Sequence, residues 1–166
     1  MQAYEFINNL IPPLKLTDQA KMALAWMEEI RTDLLPVVDK GKFLGFLSDE
    51  IIFDLNDPEK FLEKIPLNNY NCWVYTDQHV YDILKISAEH HSNMVAVLDR
   101  EMTYLGVVTM EDAISAFADS LSIQSQGSVL VLSMNMSDYS LAEIARLTET
   151  ENTKILSSFI SNDPLD

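Results

Sequence analysis

Apolar and polar residues run through the same order of periodicities twice along this chain. After Thr17-Asp18-Gln19, Met22, Trp26 and Ile30 recur four apart with Ala23 and Met27 beside them. That spacing predicts an amphipathic helix, with Thr17 or Asp18 as its N-cap. Leu34-Leu35-Pro36-Val37-Val38 is then a short unbroken apolar run with β-branched members, and Pro36 opposes helix. A strand buried on both faces is predicted there. Lys40-Gly41 supplies a tight turn, and residues 42–47 read as the returning strand. Glu50-Ile51-Ile52-Phe53-Asp54-Leu55 follows as a short helix with acid in its first turn, as the helix dipole favours.

The second passage repeats this order. Thr76-Asp77-Gln78 leads into a helix capped by Asp77, with Val80, Ile83, Leu84 and Ala88 on its inner face. Met94-Val95-Ala96-Val97-Leu98 is the buried strand, Arg100-Glu101 opens the turn, residues 103–108 return, and residues 111–121 form the closing helix. The offset grows from 59 (Thr17 to Thr76) to 60 (Asp39 to Asp99) and 61 (Gly45 to Gly106), each slip falling in a predicted connection. Short extended segments precede each copy at residues 11–14 and 73–75. Each unit is therefore β-α-β-β-α. A three-stranded sheet with helices on one side leaves its other face bare, so two such units are expected to pack sheet to sheet around a pseudo-symmetric cleft.

Composition narrows the functional classes. The 166 residues are 48% hydrophobic and 22% charged, which is globular, with a net charge of −15. Such a balance opposes nucleic-acid and anionic-membrane binding, because phosphate backbones require Lys and Arg. One nucleotide needs only a local patch and backbone donors, so it stays open. The single cysteine, Cys72, excludes an intrachain disulfide and reads as a small core residue. No apolar stretch approaches the about 18 residues that cross a bilayer, and a cytoplasmic protein is expected. His90-His91 beside Glu89 points in directions about 100° apart on a helix, which suits a solvated helix end better than a metal site. Trp26, Met22 and Met27 read as core or interface. No Ser-His-Asp or Cys-His arrangement and no Gly-rich phosphate loop stands out, so no catalytic residue, metal or cofactor is expected.

Gly106-Val107-Val108-Thr109-Met110-Glu111-Asp112 places Gly, two apolar residues, Thr, two variable residues and Asp between a buried strand and a helix. This resembles the signature of cystathionine β-synthase (CBS) domains, which occur in tandem as Bateman modules. The resemblance spans residues 11–122, with units at 11–66 and 70–122. It implies a regulatory module, not an enzyme, that binds an adenosine-containing ligand in the cleft between its sheets. Asp112 would then hold the ribose hydroxyls, and Thr109 with nearby backbone N–H groups would meet a phosphate. Adenine would lie in an apolar slot from Val74, Tyr75 and Thr76 and from Asn93, Met94 and Ala96, with Gly106 and Val107 completing the site. The same two side chains could instead serve as a capping pair at a helix start, satisfying orphan backbone donors. Copy one departs from the pattern: Ile51 stands three residues after Ser48 and cannot hold a ribose. At most one well-formed nucleoside site per chain is therefore expected, built mainly on copy two. The cations near the motifs are Lys40, Lys42 and Arg100, so an AMP-like or S-adenosylmethionine-like ligand fits better than a triphosphate. A ligand-free homodimeric scaffold is the alternative function, and a homodimer is expected in either case.

Beyond a polar linker at residues 123–128, Val129-Leu130-Val131-Leu132 reads as a strand. Ser140-Leu141-Ala142-Glu143 reads as a capping box opening a helix with Leu141, Ile144, Ala145 and Leu147 on its apolar side, and residues 154–160 as another strand. Residues 127–166 thus resemble the βαβ half of an ACT domain, an order found in bacterial acetoin-utilisation accessory-type proteins. The fold class expected for the whole is α+β. The strand that would complete an ACT sheet between these two is missing, so the segment is expected to pair with another chain, to be mobile, or to be the remnant of a longer protein.

Overall fold

The computed structural model describes residues 1–121 and 125–161 and divides into two compact units, residues 1–116 and 117–166. The first holds both copies of the repeat up to residue 116, within the last helix of copy two. Copy one comprises α1 (Ala20–Ile30), β1 (Leu34–Asp39), β2 (Lys42–Ser48) and α2 (Asp49–Leu55). Copy two comprises β3 (Trp73–Tyr75), α3 (Val80–His90), β4 (Met94–Leu98), β5 (Tyr104–Thr109) and α4 (Met110–Ser120). The mixed α+β class and the paired sheets are as the periodicities imply.

The duplication extends to details that composition does not show. The order of buried, half-buried and exposed positions is identical along α1 and α3, with Ala20, Ala23 and Met27 facing inward in one and Val80, Ile83 and Ser87 in the other. Met22, Trp26 and Ile30 flank that face half-buried, so α1 is turned from the expected orientation, whereas α3 buries Val80 and Ile83 as expected, with Leu84 half-buried and only Ala88 of that face exposed. Small residues share the inner stripe with larger apolar ones, Ala20 and Ala23 beside Met27 in α1 and Ser87 beside Val80 and Ile83 in α3. Ser87 is tolerated because its hydroxyl donates to the Ser92 carbonyl at 2.6 Å. Every residue of β4 is buried, as its unbroken apolar run requires. A β-bulge interrupts each hairpin at the same place, after Val37 and after Val97. Lys40 and Gly41 both take positive φ, as a type I′ hairpin turn demands.

In copy two the sheet has three strands, with β3 parallel to β4. In copy one the corresponding segment shrinks to a single bridge, Leu14 to Val37. Pro12 and Pro13 explain the loss, since neither has an N–H to donate. The expected caps also move. Gln19 and His79 occupy the N-cap positions of α1 and α3. Asp18 instead closes a turn onto the Lys15 N–H at 2.7 Å, and Asp77 pairs with Arg100 at 2.5 Å.

The feature that joins the copies is an exchange of lead-in segments. Residues 1–9 precede copy one but lie on copy two: Ala3 and Tyr4 donate backbone N–H groups to the Gln78 and Thr76 carbonyls, and Asn8 donates to Val107 at 2.8 Å. Residues 58–69 precede copy two but lie on copy one. There Leu62 and Glu63 donate to the Asp18 and Leu16 carbonyls, and Asn68 exchanges two backbone bonds with Phe46 at 2.7 and 2.8 Å. The Lys60 and Pro58 carbonyls also accept from Ala20 and Lys21, taking up orphan donors at the start of α1. Each crossing passes directly over a hairpin glycine. A Cβ on Gly45 would lie 2.8 Å from the Asn68 carbonyl oxygen, and one on Gly106 would lie 2.4 Å from Ile7 Cγ2. Both glycines take φ values (+144° and +157°) that residues with side chains rarely adopt.

The bare sheet faces then meet. Leu34 and Phe46 of copy one join the buried cluster that holds Val74, Val95, Val97 and Val107 of copy two. Equivalent positions touch one another across this interface. Phe43 stacks on Tyr104 with ring centroids 6.2 Å apart, and Asn93 donates from its side chain to Asp33 at 2.8 Å. The Tyr104 hydroxyl is buried without a partner among the described residues, and burial raises its pKa.

The second unit differs from expectation. Helix α5 (Leu141–Thr150) forms, and Ser140 caps it by accepting from the Glu143 N–H at 3.3 Å. The Glu143 carboxylate, however, turns to Arg146 at 2.5 Å and so leaves the capping box half made. Neither residues 129–132 nor residues 154–160 form a β-strand. No strand lies between them among the described residues to pair with their backbones, and Val129 is left 92% exposed. Of the three elements expected for an ACT-like βαβ arrangement, only the helix forms. Residues 122–124 of the expected linker and closing unit, and residues 162–166, lie outside the described residues. No helix among the described residues is long and apolar enough to cross a membrane.

Gly45→Ala is expected to destabilise the protein by about 2–4 kcal/mol, combining overpacking with an unfavourable φ. Gly106→Ala should cost less, because the obstacle is a side-chain methyl group. Urea denaturation of the Ile7→Ala/Gly106→Ala double variant should show favourable coupling of about 1 kcal/mol. Leu67→Ala should give no such rescue of Gly45→Ala, where the clash is with backbone.

Candidate functional site

Strand β5 delivers Thr109 to the start of α4, and the first helical turn brings Asp112 back over it. Thr109 Oγ1 accepts from the Asp112 N–H at 3.1 Å, satisfying one orphan donor of the helix. Its own hydroxyl proton goes to Asp112 Oδ2 at 2.6 Å. Asn8, arriving on the exchanged lead-in, donates from Nδ2 to that same oxygen at 3.1 Å. The Asn93 carbonyl accepts from the Met110 N–H at 2.9 Å, so Asn93 stands at the same helix start while its side chain reaches Asp33 of copy one. The structure therefore brings Asn93, Met94, Thr109 and Asp112 to one end of the copy-two sheet, while Val107 and Gly106 lie farther back along β5, opposite Ala96 and Val97. The capping geometry and the proposed ribose acid use the same atoms.

Copy one shows what the motif does without the acid. Ser48 Oγ accepts from the Ile51 N–H at 3.4 Å, and the Asp33 carbonyl accepts from Asp49 at 3.0 Å. The cap persists, and the carboxylate is replaced by an apolar side chain.

The remaining residues of the expected slot are buried beneath the sheet surface or lie farther along it. Val74, Met94, Ala96 and Val107 have side chains in the core, none more than 2% exposed. Their contribution to any site is its floor. Tyr75 pairs with Leu98, which pairs with Tyr104, whereas Thr109 pairs with Met94 at the other end of β4. At about 3.3 Å per residue that separates Tyr75 and Thr76 from Thr109 by about 13 Å along the sheet. The backbone of Thr76 is already committed to Leu98 and Tyr4.

Tyr75 instead lines a cavity of about 540 Å³ with Asn71, Trp73, Gln78, Ile86 and Arg100. Arg100 lies over the Tyr75 ring at 4.5 Å and pairs with Asp77. A smaller cavity of about 300 Å³ occupies the matching end of copy one, lined by Lys15, Leu16 and Lys40 among others. Neither cavity is lined by Thr109 or Asp112. Lys42 donates to the Glu101 carbonyl. Two of the three cations counted near the motifs, Lys42 and Arg100, thus have partners within the protein.

No group of three or more His, Cys, Asp or Glu that could hold a metal occurs among the described residues. His91 ends α3 in a left-handed conformation, its N–H on the Ser87 carbonyl. Cys72 is fully buried, with its thiol 3.4 Å from the Met94 carbonyl, and burial pushes its pKa up to about 11. That shift opposes the thiolate and with it nucleophilic chemistry.

Asn8 was not among the residues expected from sequence. A signal for it exists, since Glu5-Phe6-Ile7-Asn8-Asn9 recurs in looser form as Glu63-Lys64-Ile65-Pro66-Leu67-Asn68-Asn69. The repeat begins earlier than its helices and strands suggest.

Residues 68–119 match the CBS domain family model. The chain is similar to a CBS domain pair/ACT domain protein from Thermotoga maritima, at 23% identity and a TM-score of 0.66. That likeness covers 74% of this chain and 100% of the other. The fold is that of a CBS domain pair. A CBS domain pair solved with 5′-methylthioadenosine and S-adenosyl-L-methionine is similar at 22% identity and a TM-score of 0.58, covering 72% of this chain and 97% of that one. CBSX2, solved with AMP, is similar at 16% identity and a TM-score of 0.61, covering 71% and 96%. No curated protein matches the chain in sequence.

With its pKa raised from near 9 to about 11, the protonated Cys72 thiol is favoured in the folded state. Its contribution is complete below pH 9 and is lost as pH climbs through 11, a fall of about 2–3 kcal/mol. Chemical denaturation of wild type and Cys72→Ala across pH 8–11 should show that this slope is absent from the variant. The native thiol should react with a disulfide reagent at pH 8 only on unfolding.

Proposed function

We propose that the chain is a regulatory, non-catalytic module that senses an adenosine-containing ligand, AMP-like or S-adenosylmethionine-like, at the Thr109–Asp112 end of copy two. The observation that carries this reading is the convergence of Asp112, Thr109 and Asn93 at the N-terminus of an eleven-residue helix facing copy one. A carboxylate there can accept from both hydroxyls of a ribose, while the helix start favours a phosphate or carboxylate tail. Two CBS pairs of similar fold were solved with AMP and with S-adenosyl-L-methionine and 5′-methylthioadenosine, which supports an adenosine ligand. The partners already held by Lys42 and Arg100 disfavour a triphosphate. The reading also entails a soluble, cytoplasmic protein and no catalytic step.

Calorimetric titration with AMP, ADP, ATP and S-adenosylmethionine is expected to show AMP or S-adenosylmethionine binding below millimolar concentration. Asp112→Ala should weaken it by about 1.5–3 kcal/mol. Absence of binding by all four ligands would defeat the sensor reading.

A homodimer is the second proposal, and one observation favours it. Phe53 on α2 and Ile114 on α4 stand at equivalent positions, 61 apart, and are 66% and 58% exposed. Two matching apolar side chains on the outer helices suit a two-fold interface between copies of this chain. Light scattering at micromolar concentration should report a dimer, and Phe53→Asp/Ile114→Asp should convert it to monomer. If the dimer persists in that variant, the interface lies elsewhere.

A further inference from the structure

Resting on the site proposed above, we infer that Asn8 is a member of that site contributed by the exchanged lead-in, and that a ribose must displace it, so ligand binding releases residues 1–9 from copy two. The acceptor capacity of Asp112 leads to this. Both described contacts fall on Oδ2, from Thr109 at 2.6 Å and from Asn8 at 3.1 Å. A carboxylate oxygen has two lone pairs in its plane, so Oδ2 is full. A ribose gripped in bidentate fashion, with one of its two neighbouring hydroxyls on each carboxylate oxygen, needs a lone pair on Oδ2. One occupant of Oδ2 must leave.

Asn8 is the one that leaves. Its bond is the longer, and it comes from a segment outside the helix. Thr109 is tied to the same turn by accepting from the Asp112 N–H. The departure carries the lead-in with it, because the Asn8 side chain is not free to swing alone. Asn8 Oδ1 accepts from the Leu10 N–H at 3.0 Å, its own N–H is bonded to Val107, and Ile7 packs on Gly106 just before it. The lead-in is also held by Ala3 and Tyr4 on the Gln78 and Thr76 carbonyls, at 2.8 and 3.2 Å, by the Met1 carbonyl accepting from Val80, and by Ala3, Phe6 and Ile7 against the copy-two core. Loss of the Asn8 contacts removes one end of this attachment and loosens what remains of a short segment.

The consequence is a self-occupied site. The empty protein satisfies its own acid, and the ligand competes with a tethered amide. Occupancy is then reported at the N-terminus.

Two measurements on the full chain test this. Calorimetry with AMP and with S-adenosylmethionine should show Asn8→Ala binding about 3- to 10-fold more tightly than wild type, the range expected for removing one competing hydrogen bond. Hydrogen exchange of wild type should show faster exchange of the Ala3, Tyr4 and Asn8 amides when the tighter ligand is present. A thermal melt establishes that Asn8→Ala is folded, and Asn8→Ser, which keeps a shorter donor, should fall between the two. Binding by Asn8→Ala with none detectable by wild type also supports displacement. Equal or weaker binding by Asn8→Ala, or slower exchange of those amides with ligand, overturns the displacement and leaves the site itself standing. No binding of either ligand by wild type or variant overturns the site and the displacement together.

Discussion

Two strands of backbone crossing over two glycines hold this fold in register. Each lead-in passes so close to the opposite hairpin that a methyl group would not fit beneath it, and the hydrogen bonds flanking the crossing fix its position. The glycine that opens the CBS motif is thus explained by packing between copies before any ligand is considered. Neither copy is complete alone: the start of α1 takes its hydrogen-bond acceptors from the segment leading to copy two, and β5 is flanked by the segment leading to copy one. Sheet-to-sheet burial of Leu34 and Phe46 against Val95 and Val97 adds the apolar driving force, but the crossings decide the geometry.

How much of this was legible before the structure varies by interaction type. Periodicity gave the order of elements in both copies, the fully buried β4, the core placement of Cys72 and the α+β pairing, since each follows from local patterning. The face of α1 came out turned because alanines, weak hydrophobic signals, occupy the inner stripe at Ala20 and Ala23. The caps at Gln19 and His79 were missed since neither residue type advertises that role. The lead-in exchange depends on residues about 100 positions apart, such as Asn8 and Asp112, and no local pattern encodes such a contact. In the second unit, apolar runs at residues 129–132 and 154–160 satisfy strand periodicity without strand pairing, because a β-strand exists only with a partner.

The candidate site shows the same division. Thr109 and Asp112 lie in the motif and Asn93 in the adenine slot that the resemblance implies, and the three stand at one helix start. Tyr75 and Thr76 were placed beside them by sequence analogy, but strand direction carries them to the other end of the sheet. Capping and ligand recognition do not compete as explanations of Thr109. Its oxygen accepts from the helix backbone while its proton orients the carboxylate, so the cap holds the acid in position. Copy one, where Ser48 caps without an acid, separates the two roles.

The contact between Asp33 and Asn93 carries an evolutionary implication. These residues are counterparts, one from each half, and they meet beside the local symmetry axis. Were the halves separate, identical polypeptides, every such meeting would join a residue to its own twin, and two aspartates there would repel. Covalent fusion frees the counterparts to differ, so one can become an amide donor and the other remain an anion. A self-contact at that position thereby becomes a complementary one, which two identical halves could not make there.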